Sequence, residues 1–217
     1  MSIKVLLADD HNILIHGLIK AIQLETDIVV VGKATDGLTA IQLVKELEPD
    51  IVLMDIAMPE LNGIEATRHI AKQYPKTKVI ALSMHSSKRY IHEMFRAGAY
   101  GYILKNCGFE ELTKAIKTVY NKQRYISPSI TEAVVDNYIT NSNTNLKSVF
   151  TTLTIRERQV LQLMTEGKTT KQIGRKLFIS PKTVEAHRLR VMHKLNMDSV
   201  AQLTKYAIQE GLTMPEP

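Results

Sequence analysis

Five short apolar segments, separated by stretches with helical spacing, dominate the first part of the chain. They are Lys4–Ala8, Ile28–Gly32, the run ending at Asp55, Lys78–Leu82 and Tyr100–Leu104. Between them, apolar residues recur every three or four positions, as in helices that bury one face. Strands that alternate with helices form parallel sheets covered on both faces. The sequence therefore predicts an α/β domain with a five-stranded parallel sheet in the flavodoxin-like strand order.

Acidic residues stand at the C-terminal ends of two of these strands. Asp9 and Asp10 follow the first strand, and Asp55 ends the third. Ligands of open parallel sheets bind at this edge, so the three carboxylates could converge there. Like charges this close require a cation, and Mg²⁺ takes one or two carboxylates together with water and phosphate oxygens. Any one of these acids alone is typical of a solvated loop, but their combined positions predict a Mg²⁺-dependent phosphate site.

The last two strands also end in polar residues. Ser83 ends the fourth strand and Lys105 follows the fifth, which contains Tyr102. With the three acids, this pattern resembles the receiver domain of two-component response regulators. The resemblance implies roles for six residues: Asp9 and Asp10 as metal ligands, Asp55 as phospho-acceptor and third ligand, Ser83 and Tyr102 as switch residues, and Lys105 as the phosphate partner and a further switch residue.

Four further residues lie near this pattern, two that depart from the receiver sequence and two histidines. Met84 and Asn106 depart from the receiver pattern, in which a smaller residue and proline are common. His11 and His16 flank the first predicted helix. We expect both to be polar caps or surface residues rather than metal ligands.

Charge is unevenly distributed along the chain. Residues 1–121 contain 14 basic and 14 acidic residues, whereas residues 151–217 contain 11 basic and 6 acidic residues. A short basic module at the C-terminal end favours a polyanionic partner. A solvated lysine-rich surface would give the same counts, so charge alone leaves both interpretations open.

The sequence predicts three parts. They are a receiver domain at 1–121, a linker with a helix at 122–148, and a DNA-binding domain at 149–217. Residues 124–128 are expected to form a turn, and Ser127 to cap a helix from about residue 128 to 139. Residues 140–145 contain no apolar residue, which places the linker there.

The C-terminal part carries four predicted helices. Thr154 and Glu157 form a capping-box pattern that begins the first helix. The second spans 170–177, and the third begins at Pro181 after Ser180 as N-cap. Ser199–Gly211 is the fourth. Two short helices joined by a tight turn, the second of them basic, predict a helix-turn-helix at about 169–188 in an all-α domain.

Motif residues in this part resemble the LuxR-type DNA-binding domain. The pattern includes Leu153-Thr154-x-Arg156-Glu157 and Ser180-x-x-Thr183-Val184-x-x-His187. Joined to a receiver, it resembles the NarL/FixJ class of response regulators. The resemblance implies two sets of contacts. Glu185, Ala186 and Leu189 would face the groove, while Lys182, Thr183, His187, Arg188, Arg190 and Lys194 would approach phosphates. Cationic groups set affinity, whereas a methyl or a carboxylate can discriminate base edges.

One residue of the motif departs from the family pattern. Gly174 stands where the family usually has alanine. Glycine in a helix interior costs about 1 kcal/mol relative to alanine, so we expect it to weaken the first motif helix.

These features together predict a DNA-binding transcription regulator rather than an enzyme. A sensor histidine kinase would phosphorylate Asp55, and phosphorylation would control dimerisation and promoter binding, with RNA polymerase as a further partner. The only cysteine, Cys107, excludes an internal disulfide and suits the cytoplasm. We expect no signal peptide, because the apolar run after Lys4 breaks at Asp9, and no membrane span.

Two other functions stay open on the sequence. A Mg²⁺-dependent phosphatase with an aspartyl nucleophile also places an acid at a strand end. Enzymes of that kind, which resemble haloacid dehalogenases, need a second Asp two residues later, where this chain has Ala57. The other alternative is a receiver that acts by protein contact without phosphorylation.

Overall fold

The chain forms two compact units, residues Met1–Thr144 and Asn145–Pro217. The computed structural model describes residues 2–84, 88–131 and 149–213. Most of the predicted helix at 128–139 and all of the linker at 140–145 lie outside the described residues. The domain boundaries given by the sequence stay a prediction.

The N-terminal unit alternates strands and helices. The strands are β1 Ile3–Ala8, β2 Ile28–Ala34, β3 Ile51–Asp55, β4 Lys78–Ser83, β5 Gly101–Leu104 and β6 Tyr125–Ile126. The helices are α1 Asn12–Ile22, α2 Gly37–Leu47, α3 Gly63–Gln73, α4 Lys88–Ala97 and α5 Phe109–Tyr120. Residues 128–131 begin a further helix, as the capping pattern at Ser127 predicts.

All strands lie in one parallel sheet with the order β2-β1-β3-β4-β5-β6. The predicted fold class and strand order are confirmed. The predicted count of five strands was wrong, because Tyr125–Ile126 is a sixth strand and not a turn. The backbone N–H of Tyr125 donates to the Tyr100 carbonyl, and that of Ser127, the next residue after the strand, donates to the Tyr102 carbonyl. Both distances are 3.0 Å. A strand of two residues leaves no periodic signal to find.

The core of this unit explains why β3 is central. All five residues of β3 are buried, as expected for a strand covered by helices on both faces. Ile51 and Leu53 of this strand pack in the same apolar cluster as Ile80 of β4 and Ile116 of α5. Asp55, at the end of the strand, is therefore carried on the most enclosed part of the sheet.

The C-terminal unit is helical in its described residues. Its helices are α6 Val149–Thr152, α7 Ile155–Thr165, α8 Thr170–Leu177, α9 Pro181–Leu195 and α10 Val200–Glu210. The four predicted helices correspond to α7 to α10, and α6 is one additional turn. A small core of Val160, Leu163, Ile173 and Val184 joins α7, α8 and α9.

Side chains fix the starts of these helices as the sequence predicts. Thr154 and Glu157 form a capping box, in which the Thr154 hydroxyl accepts from the Glu157 N–H and Glu157 Oε2 accepts from the Thr154 N–H at 2.8 Å. Ser180 accepts from the N–H of Thr183 at 3.1 Å and is followed by Pro181 at the first helical position. These hydrogen bonds stabilise the first turns of α7 and α9.

The structure explains why position 174 is glycine and not alanine. A Cβ at this position would lie 2.8 Å from the carbonyl oxygen of Ile179, in the turn between α8 and α9. The N–H of Ile179 donates back to the Gly174 carbonyl at 3.0 Å. Glycine lets the turn pass this close to α8, so the expected weakening of the helix is offset by a closer turn.

Among the described residues, no helix is both long and apolar enough to cross a membrane.

Candidate functional site

The strand ends of the N-terminal unit bring three charged side chains into contact. Lys105 Nζ lies 2.9 Å from Asp55 Oδ2 and 2.7 Å from Asp9 Oδ2. Asp9 follows β1, Asp55 ends β3 and Lys105 follows β5, so the carboxyl edge of the sheet places them together. Asp9 is 1% exposed and Asp55 is 4% exposed. Because all three are shielded from water, their charges interact strongly.

Burial sets the protonation of this cluster. It raises the pKa of Asp55 to about 6, since the Lys105 ammonium offsets only part of the cost of enclosing the carboxylate and Asp9 adds repulsion. Burial alone would lower the pKa of Lys105, but the carboxylates of Asp55 and Asp9 raise it above its ordinary value. At neutral pH, Asp55 is therefore mostly a carboxylate facing a permanent ammonium group.

Two more side chains lie at the mouth of the cluster. His11 Nδ1 is 2.9 Å from Asp10 Oδ1 and 3.1 Å from Asp9 Oδ1. Ligand atoms of Asp9, Asp10, His11 and Asp55 all lie within 4.8 Å of one another. The buried Asp9 Oδ2 has no partner of good hydrogen-bond geometry, although the Lys105 ammonium is close. This donor set, rich in carboxylate oxygens, suits a divalent metal ion and fits Mg²⁺.

The predicted switch residues lie beside the acids. Ser83 and Tyr102 are both buried, and a hydrogen bond links their side chains. Burial raises the pKa of Tyr102 to about 12, so its hydroxyl is neutral. The backbone also joins this region to Lys105, whose N–H donates to the Ser83 carbonyl at 2.8 Å. The side chain of Tyr102 therefore lies inside the protein, next to Ser83.

The predicted DNA contacts of the C-terminal unit all lie on α9. Its exposed members are Lys182, Thr183, Leu189, Arg190 and Lys194, and its half-buried members are Glu185, Ala186, His187 and Arg188. Val184 and Val191 point into the core and fix the rotation of the helix. Leu189 is 65% exposed, so its side chain faces outward from α9.

Glu185 is held by a neighbouring helix. Its Oε1 accepts a hydrogen bond from the hydroxyl of Thr170, the first residue of α8, at 2.7 Å. Arg188 Nη1 lies 3.8 Å from the other carboxylate oxygen. The carboxylate predicted to read a base is therefore oriented by groups on both helices of the motif.

Two of the residues predicted to contact phosphates, Lys194 and His187, have interactions within the protein that limit how they could bind a phosphate. Lys194 Nζ donates to Glu157 Oε2 at 2.7 Å, which links the end of α9 to the capping box of α7. Burial raises the pKa of Glu157, but the bonds from Lys194 and Thr154 lower it below its ordinary value. Burial and then Arg190 lower the pKa of His187. His187 is therefore neutral at pH 7 and could meet a phosphate only as a hydrogen-bond donor.

Sequence reasoning missed His11 and Thr170 as members of these sites. His11 occupies the N-cap position of α1 and is exposed, as expected, but its imidazole also faces two carboxylates. The sequence signal was its position directly after Asp9 and Asp10. Thr170 carried no signal, because its contact with Glu185 joins residues 15 positions apart through the packing of two helices.

Comparison with known proteins agrees with this architecture in both units. The response regulator receiver domain matches residues 5–117, and the LuxR family of bacterial regulatory proteins matches residues 151–207. With the acidic cluster of the first unit and the helix-turn-helix of the second, this chain belongs to the NarL/FixJ class of two-component response regulators, which are DNA-binding transcription regulators.

Individual relatives extend over nearly the whole chain. The oxygen regulatory protein NreC of Staphylococcus aureus is 39% identical over 213 residues, which are 96% of this chain and 98% of the relative. Response regulator ChrA of a heme-sensing two-component system is 30% identical, with a TM-score of 0.54 over 97% of this chain and 98% of the other. RcsB of Salmonella enterica serovar Typhimurium has a TM-score of 0.62 over 95% of this chain and 98% of the other; at 23% identity it shows likeness of fold alone.

Proposed function

We propose that Asp55 accepts a phosphoryl group from a sensor histidine kinase and that this modification controls DNA binding by α9. The observation that carries the proposal is the contact of Lys105 with both Asp55 and Asp9, 2.9 Å and 2.7 Å away, at the carboxyl edge of the sheet. An ammonium group placed there can pair with the dianion that phosphorylation creates.

The chemistry follows from the charges of the cluster. A carboxylate oxygen of Asp55 attacks the phosphorus of a phosphohistidine, a P–O bond forms, and the P–N bond to the departing imidazole breaks. Asp9, Asp10 and Asp55 would hold Mg²⁺, which supplies positive charge for the transferring phosphoryl oxygens. Lys105 pairs with the same oxygens from the other side, and Ser83 offers a hydroxyl donor nearby.

The switch would then act through groups already in contact. A phosphoryl group on Asp55 draws Lys105 away from its shared position and offers Ser83 an acceptor in place of Tyr102. Changes at a dianion of this kind bias a two-state element. We propose that the altered surface favours a homodimer, whose two copies of α9 bind half-sites about 10 to 10.5 bp apart or a multiple of that spacing.

On DNA, some side chains of α9 would contact phosphates and others would contact base edges. The exposed cations Lys182 and Arg190 neutralise phosphates, and the half-buried Arg188 and the neutral His187 add contacts to the backbone. Glu185, Ala186 and Leu189 face the base edges, while Thr183 donates to a phosphate. RNA polymerase is a further proposed partner, and the single cysteine fits a cytoplasmic protein.

The test is footprinting of a target promoter by wild type and Asp55→Asn, with and without a small-molecule phosphodonor and Mg²⁺. Occupancy should rise with phosphodonor only in the wild type. If Asp55→Asn responds equally, phosphorylation of Asp55 is not the switch. If neither protein responds but both bind DNA, a receiver that acts through protein contacts is favoured instead.

A phosphatase is the less supported alternative. Ala57 stands where the general acid of such an enzyme is required, and it offers no proton. Sustained turnover of a phosphomonoester by the wild type, absent in Asp55→Asn, would reverse this ranking.

A further inference from the structure

His11 is placed as a helix cap but does not act as one. It occupies the N-cap position of α1, and its side chain accepts no hydrogen bond from the helix. Instead, the Nδ1 atom faces the carboxylates of Asp10 and Asp9, at 2.9 Å and 3.1 Å. The backbone N–H of His11 also donates to Asp9 Oδ1 at 2.8 Å, which holds the residue against the acidic pocket.

The pocket lacks positive charge. Its three carboxylates face one ammonium group, Lys105, so two negative charges stay uncompensated when the imidazole is neutral. Asp9, at 1% exposed, keeps its Oδ2 without a well-aligned hydrogen-bond donor. A divalent cation would balance this charge.

We propose that His11 is a fourth protein ligand of this pocket, so that the site accepts late first-row metals such as Ni²⁺, Co²⁺ or Zn²⁺ in addition to Mg²⁺. Imidazole nitrogen suits these ions, whereas Mg²⁺ takes oxygen ligands and gains nothing from His11. The inference rests on the metal site of the proposed function. It adds His11 as a ligand and late first-row metals as ions, neither of which Mg²⁺-dependent phosphorylation requires.

The geometry needs only a small adjustment. Atoms bound about 2.1 Å from one ion lie no more than about 4.2 Å apart. The four ligand atoms here lie within 4.8 Å of one another, so rotation of an exposed side chain can complete the site. The His11 side chain is 66% exposed and is free to make that rotation, while Asp9 and Asp55 are fixed in the core.

The test is calorimetric titration of the full-length protein with Ni²⁺ and, separately, with Mg²⁺, in the absence of any phosphodonor. His11→Gln should weaken Ni²⁺ binding at least about tenfold, the smallest loss seen when even an outer partner of a metal site is removed. It should leave Mg²⁺ binding unchanged, because glutamine still donates to the carboxylates. The matched control is His16→Gln, an exposed histidine on the same helix, which should change neither titration.

A spectroscopic signature separates ligation from a structural role. In the Co²⁺-loaded wild type, an imidazole N–H proton strongly shifted by the paramagnetic ion should appear in the NMR spectrum and disappear in His11→Gln. Equal losses of Ni²⁺ and Mg²⁺ affinity, no loss of either, or absence of the shifted N–H signal would each overturn the proposal. Failure of Asp55 phosphorylation in Mg²⁺ would contradict the proposed function and leave these binding results intact.

Discussion

Asp55→Asn should make the N-terminal unit more stable at neutral pH, because the wild-type carboxylate is costly to bury. Asp55 has a pKa of about 6 in the folded protein and 3.8 as its ordinary value. The folded protein therefore retains a proton that the unfolded chain releases between about pH 4 and pH 6. Stability from the protonated carboxyl is complete below pH 4 and is lost as the pH rises through 6.

The size of the effect follows from that difference. About 2 pKa units correspond to about 3 kcal/mol between the two protonation states. By linkage, the stability advantage of Asp55→Asn is about 1.5 kcal/mol at pH 5 and about 3 kcal/mol at pH 8. The pKa of about 6 already includes the attraction of Lys105 for Asp55, and in the variant Lys105 keeps Asp9 as a partner 2.7 Å away.

Urea denaturation from pH 5 to pH 8 measures this difference. Tyrosine fluorescence reports mainly on the N-terminal unit, which contains seven of the eight tyrosines. The matched control is Asp198→Asn, an exposed aspartate of the other unit, whose effect should be small at every pH. An Asp55→Asn protein no more stable than the wild type, or an advantage that shrinks as pH rises, would refute the account of a costly buried carboxylate.

Three further substitutions test individual contacts. Gly174→Ala should fail to give the gain of about 1 kcal/mol that helix propensity predicts, whereas Gly17→Ala in α1, with open space around its Cβ, should give it in the same thermal unfolding assay. Arg158→Met should destabilise the C-terminal unit by about 2 kcal/mol or more in urea, since two buried carbonyls lose their donor. Thr170→Val should lower base discrimination at the position read by Glu185 roughly fivefold in competitive selection from randomised sites, because one hydrogen bond contributes about 1 kcal/mol, while Thr170→Ser should retain it.

Much of the fold could be predicted because its signals are local and repeated. Strand ends such as Ala8 and Asp55 combine an apolar run with a polar break, and the helix starts at Thr154 and Ser180 carry capping residues. These signals agree with one another, which is what makes a sequence specify one architecture. The strand order followed in turn from the rules for connecting parallel strands.

The sixth strand could not be predicted for a physical reason. Tyr125–Ile126 is too short to show alternation, and it is stabilised by pairing with β5 at the edge of the sheet. The N–H of Ser127 donates to the Tyr102 carbonyl at 3.0 Å, so the segment predicted as the start of the linker is bonded to the strand that carries the aromatic switch residue. The chain therefore passes along the edge of the sheet beside Tyr102 after the end of α5.

The finer chemistry of both sites depends on side-chain directions, which the spacing of residues does not encode. The sequence placed Asp9 and Asp10 at a strand end but could not show that the next residue, His11, turns its imidazole toward them. In the same way, Glu185 was predicted to face a groove without the knowledge that Thr170 holds its carboxylate. In each case a predicted carboxylate has acquired a neighbour that restricts its orientation. On the proposals made above, that neighbour would govern which cation or base the carboxylate recognises, so specificity would depend on contacts between elements as well as on the motif residues.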